Sequence, residues 1–246
     1  MSAQNINEVG STFEEEFLKI INSIAEKYPL RYQKEIISPN RQRCFEFFQR
    51  LVIRAEEIQK IEFEMHIWDQ LRERRPMKDI QLEFVNKTES FHQQVYACVS
   101  SFIKLLSYLA PKEFKDEMPI KRNSKFLKFL NEKIDARREV EILEKSSNEY
   151  RVKYIDHISQ APSHDWMTHS GPDGKAYVIY FEGRESGSII DLTEYLNSPI
   201  RILSPFSATL FFVPPHQSDV LSSYITIVLE TLKLIISSNH GANQTI

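Results

Sequence analysis

Arg151 and His157 stand six positions apart in the stretch NEYRVKYIDHISQAP, residues 148–162. An imidazole titrates near neutral pH, so His157 has the chemistry to take a proton from a hydroxyl or return one to a leaving oxygen. A guanidinium pairs with phosphate or carboxylate through two parallel hydrogen bonds and stabilises negative charge as it builds, which is the role open to Arg151. A second group follows at once. His164, Asp165 and His169, in HDWMTH, are imidazole and carboxylate donors of the kind zinc or a related divalent ion takes, here expected in a loop able to fold them inward. Their spacing fits no specific metal template, and these three remain weak metal candidates.

Both groups depend on the elements beneath them. On a helix of 100° per residue, Tyr150, Tyr154 and His157 continue one face from Leu143. Arg151 and His157 flank Tyr154 about 60° to either side, roughly 120° apart around the axis and about 9 Å apart along it. In one straight helix their side chains do not meet. A joint site requires the helix to end at His157, or a second copy to supply the partner.

Arginine, five residues and histidine at the end of a late helix in an all-helical chain resembles the RNA-cleaving motif of HEPN domains. The resemblance covers the motif and the helical organisation to about residue 160. The position after the arginine, commonly Asn, Asp or His in that family, is Val152 here. The resemblance implies a homodimer that brings two Arg and His pairs into a cleft, and metal-independent cleavage of RNA with no cofactor. Arg151 and His157 are then the catalytic pair. Lys153, Tyr154 and Arg138 would bind substrate, with Arg137 and Tyr150 as further contacts. Two other classes stand beside it: a non-catalytic helical module that engages a protein partner, and, more distantly, a metal-dependent hydrolase on His157, His164, Asp165 and His169.

Composition excludes more than it selects. The 246 residues carry 31 basic and 34 acidic side chains, a net charge of -3, so any RNA contact must be local. The first residues lack a secretory pattern, and the apolar run YITIVLETLKLII is interrupted by Glu230 and Lys233. The reading is therefore cytoplasmic, with no membrane span. Cys44 and Cys98 lie far apart within helical patterns and are expected as reduced, buried thiols. No GxSxG elbow, phosphate-binding glycine loop or dinucleotide fingerprint occurs.

The apolar spacing predicts a mainly α fold: a bundle of five to seven helices with a small β-hairpin insertion before the C-terminal helix. No glycine occurs between residues 11 and 170, and prolines, Pro39 among them, mark the joints. Stripes of threes and fours run through Phe13, Phe17, Ile20 and Ile24, with Ser11 and Glu14 as a capping box. One long or kinked helix is expected over 40–75. The stripe over 79–110 comprises Phe84, Thr88, Phe91, Val95, Cys98, Phe102, Leu105 and Leu109. Shorter helices are expected at about 124–136 and 138–160. Strands are predicted at 176–181 and 188–192, with Asp191 and Glu194 capping a short helix and a third short strand in ATLFFVPP. A last helix opens at Ser218. The chain reads as a single domain, with the bundle over 11–160 and 218–240 and the insertion at about 170–215.

Overall fold

The structure is a computed structural model, and it describes residues 6–68, 75–110, 112–119, 122–156, 164–171, 174–182, 202–203 and 210–241. Seven α-helices are present among them: α1 (Ile6–Ala25), α2 (Ser38–His66), α3 (Met77–Leu109), α4 (Lys112–Glu117), α5 (Asn123–Lys133), α6 (Arg137–Glu144) and α7 (Gln217–Gly241). A small antiparallel sheet of β1 (His164–Ser170), β2 (Ala176–Glu182), β3 (Ile202–Leu203) and β4 (Leu210–Phe212), ordered β1-β2-β4-β3, precedes α7. The mainly α bundle with a hairpin before its last helix is thus what folds.

α3 is the centre. Every residue of its predicted stripe is buried, and Phe91, Val95, Leu105 and Leu109 are wholly so, because α2, α7 and the sheet surround it. α2 runs antiparallel beside it, held by Lys87 Nζ donating to Glu57 Oε2 at 2.9 Å and Gln94 Nε2 donating to the Phe47 carbonyl at 2.9 Å. Arg75, just before α3, spans Glu64 of α2 and Glu83 of α3. α3 stops at Leu109 because Ala110 precedes a proline and takes the extended conformation that position demands. α7 then returns to the bundle and packs on α6, α1 and α2, burying Leu221, Tyr224, Val228, Leu232 and Ile235. Residues 217–237 are long and apolar enough to span a bilayer by composition, but here that apolar face is core.

Several expectations are corrected. α1 begins before Ser11, so Ser11 and Glu14 lie inside the helix and not at its start. α2 ends at His66, short of residue 75. Pro39 is not a joint: Leu30–Tyr32 runs into a π-helical turn, Gln33–Ile37, and then directly into α2. Proline lacks an N–H and crowds the carbonyl four residues back, and the wider winding relieves this while Asn40 Nδ2 donates to the Ile36 carbonyl at 2.7 Å. The helix expected over 138–160 is α-helical only to Glu144 and π-wound from Lys145 to Asp156. At this change the Ser147 hydroxyl donates to the Leu143 carbonyl one turn back, at 2.7 Å, a side-chain bond that competes with the regular ladder.

The hairpin also shifts. HDWMTHS, expected as a loop, is strand β1, paired with β2 in register from His164 opposite Glu182 to Ser170 opposite Ala176. At the end of this pairing Gly171 N–H donates to the Lys175 carbonyl at 2.7 Å, and Gly174 takes φ 75°, the left-handed conformation glycine adopts without strain. The predicted strand at 188–192 and the short helix capped by Asp191 and Glu194 fall outside the described residues. The strand in ATLFFVPP is β4, followed by buried Pro214 and Pro215.

Candidate functional site

Arg151 lies near the end of the π-wound segment, half-buried against the side of α3. Its guanidinium carbon sits 4.1 Å from the centroid of the Tyr96 ring, a cation–π stack, and its Nε donates to the Ser147 carbonyl at 3.3 Å. Tyr96 is 37% exposed, so the stack is at the surface. The carbonyl of Tyr96 accepts from Asn123 Nδ2 at 3.2 Å, and that amide also donates to Ser100 Oγ at 3.0 Å. Asn123 is the first residue of α5, and this anchorage brings Arg122 and Lys125, both exposed, to the same end of the bundle as Arg151.

Behind Arg151 the segment is fixed by buried polar contacts. Tyr150 is fully buried, its ring stacked on Phe212 of β4 at 5.9 Å and edge-on to His92 of α3 at 4.5 Å. Tyr180 of β2 donates to Glu89 Oε1 at 3.2 Å, and since that uses its only hydrogen, the 2.8 Å contact between the two phenols has Tyr150 as donor. Burial pushes the Tyr180 phenol up, and burial likewise raises the Glu89 carboxyl against the opposing pull of the Tyr180 hydrogen bond. One turn earlier, His92 Nδ1 shares a 2.7 Å hydrogen bond with Ser146 Oγ. His92 is 1% exposed, and burial lowers its pKa from the ordinary 6.5 to about 3, so it is neutral throughout the physiological range. The buried face thus follows the predicted one through Leu143 and Tyr150.

The other predicted residues are placed as follows. Arg138 is exposed in the first turn of α6, thirteen residues before Arg151 and on the order of 20 Å from it along the helical axis. Arg137 Nε lies 3.7 Å from Glu141 Oε1. His157 lies outside the described residues, as do the side chains of Lys153 and Tyr154. The three metal candidates sit on β1 rather than in a loop. The side chains of His164 and Asp165 lie outside the described residues. Among the described residues, no group of three metal-ligating side chains converges.

An open groove of about 520 Å³ along this segment is lined by Glu141, Glu144, Lys145, Asn148, Glu149 and Val152, three carboxylates against one ammonium. Burial lowers the Lys145 pKa, and Glu149 and Glu141 hold it up in part. Val152, where the sequence departs from the motif it resembles, lines this groove.

Sequence reasoning missed Tyr96, Arg122 and Lys125, while His92, which the helical pattern gives as a packed or surface histidine, is packed. Tyr96 and His92 lie one helical turn apart on α3, and a polar pair interrupting an apolar helix was the available signal for Tyr96. A Ser, His and Glu contact was missed as well: His216 Nε2 donates to Glu62 Oε1 at 2.8 Å, and its Nδ1 accepts from the Ser218 N–H at 3.3 Å. That arrangement caps the start of α7 and ties it to α2. No protein-family model, curated protein or solved structure matches this chain.

Proposed function

We propose that this protein is a HEPN-like RNA-binding module that acts as a homodimer and cleaves RNA without a metal. The observation that carries the reading is the guanidinium of Arg151, held against the exposed Tyr96 ring and the Ser147 carbonyl. In a chain of net charge -3, phosphate binding requires such a locally ordered cation, and the exposed Arg122 and Lys125 flank Asn123, which anchors the Tyr96 backbone. The groove lined by Glu141, Glu144 and Glu149 offers a phosphate backbone little, and in this reading the strand runs over the stacked Tyr96 and Arg151. Arg151 pairs with the scissile phosphate. His157 exchanges the proton of the chemical step: the ribose 2′-oxygen forms a bond to phosphorus, the 5′-oxygen leaves, the 2′-hydroxyl proton goes to a base and the 5′-oxygen receives one. The second protomer completes the cleft with its own pair.

The test uses fluorescence anisotropy with labelled single-stranded RNA at low salt, gel analysis of cleavage, and light scattering for the oligomeric state. Arg151→Ala should weaken binding about tenfold, and His157→Ala should abolish cleavage while leaving binding intact. Wild-type affinity in Arg151→Ala, or no RNA binding by the unaltered protein at low salt, refutes the reading. A monomer that cleaves refutes the composite cleft. The second class, a module that binds a basic protein segment, is favoured by the acidic groove, and a non-binding outcome with RNA would make it the working reading.

A further inference from the structure

We infer that Tyr96 is the positioning residue for Arg151, contributed from α3 to a site whose motif lies wholly on the segment after α6. The inference rests on the RNA-binding reading above and names the residue that gives that site its geometry. An arginine near a helix end carries a long side chain with many rotamers, and ordering it costs conformational entropy that a phosphate contact must offset. Two contacts remove that freedom before substrate arrives. The Tyr96 face, 4.1 Å from the guanidinium carbon, sets the plane of the fork, and the 3.3 Å bond from Nε to the Ser147 carbonyl sets its direction within that plane. The platform is itself rigid. The Tyr96 backbone is gripped by Asn123, which is 6% exposed, and the preceding turn of α3 is buried at His92. Tyr96 remains 37% exposed, so the stacked pair is reachable from solvent. Its aromatic face, not its hydroxyl, carries the role.

The experiment measures RNA affinity and its salt dependence for the full chain and for Tyr96→Ala, Tyr96→Leu, Tyr96→Phe, Arg151→Ala and the Tyr96→Ala/Arg151→Ala double variant. Loss of the cation–π contact should weaken binding about fivefold in Tyr96→Ala and Tyr96→Leu. It should also lower the slope of log K against log salt by about 0.7, the signature of one single-strand phosphate contact. Tyr96→Phe should stay within twofold of the unaltered protein, and the double variant should bind no more weakly than Arg151→Ala alone. A merely structural role would move stability and leave the salt slope in place. Tyr96→Leu keeps most of the bulk, so it separates the π face from packing if Tyr96→Ala folds poorly. An unchanged slope in Tyr96→Leu, or effects of Tyr96 and Arg151 that simply add, overturns the inference while Arg151→Ala still weakens binding. An Arg151→Ala protein that binds like wild type overturns the RNA reading itself, and this inference with it.

Discussion

His92 should make this fold acid-sensitive by an amount the structure sets. The ring lies 1% exposed between Phe91, Tyr150 and Ser146, and burial holds its pKa near 3 against an ordinary value of 6.5. Between these two values the unfolded chain takes up a proton that the folded chain refuses, so stability falls as pH falls through 6.5 and is fully present above it. At 1.36 kcal/mol per pH unit, the 1.5 units from pH 6.5 to 5 correspond to about 2 kcal/mol from this one residue. Other groups titrate over the same range, and the measurement that isolates His92 is the difference between wild type and His92→Gln. Urea unfolding monitored by tryptophan fluorescence at pH 7.5, 6.5, 5.5 and 5.0 supplies both curves. At pH 7.5 the variant should be less stable by about 1–3 kcal/mol, having lost a buried hydrogen bond and aromatic contacts. By pH 5 that gap should narrow by about 2 kcal/mol, because glutamine has no proton to gain. A gap that stays constant across the series would mean that His92 reaches solvent or is charged in the folded state, and the buried polar layer behind Arg151 would have to be redrawn.

Other outcomes follow from the same contacts. Tyr150→Phe removes the hydrogen bond to Tyr180 while keeping the stack on Phe212, so it should cost about 1 kcal/mol in urea unfolding, whereas Tyr150→Ala should cost about 4. His216→Ala leaves the Glu62 carboxylate, 15% exposed, without its partner and uncaps α7, with an expected loss of about 3 kcal/mol measured by thermal unfolding. Burial raises the Cys44 thiol to about 11 and shields both cysteines, so a thiol reagent should label neither in the native protein at pH 7.5 and both in denaturant. Glu89→Gln should be stabilising at pH 7, since burial raises the carboxyl above its unfolded value, and the gain should fade as pH falls through the raised folded-state pKa and be gone below the unfolded carboxylate pKa.

The residues by themselves determined the parts of this protein that depend on one element at a time. The eight-residue stripe from Phe84 to Leu109 defines a helix face whatever it packs against, because apolar side chains at threes and fours can leave water only together. Leu221, Tyr224, Val228, Leu232 and Ile235 do the same for α7, and the absence of glycine between residues 11 and 170 left helices as the natural reading of the first two thirds. Arg151 was legible as a candidate because its type and its place near a helix end are local facts.

Tertiary structure decided what depends on two elements meeting. HDWMTHS looks like a loop, since its polar residues show no apolar alternation, yet it becomes β1 because β2 offers a free row of backbone donors and acceptors. The π winding after Glu144 depends on hydrogen-bond register, which residue types do not encode, and on Ser147 engaging the carbonyl one turn back. Periodicity placed Tyr150 on a buried face but could not name Phe212, Tyr180 and His92 as what covers it. Nor could it choose the ring beneath Arg151. Tyr96 lies 55 positions earlier in the chain, and only the packing of the π-wound segment along α3 brings the guanidinium over it. A pattern within one helix specifies which face is turned inward, while the identity of the neighbour comes from how the helices pack.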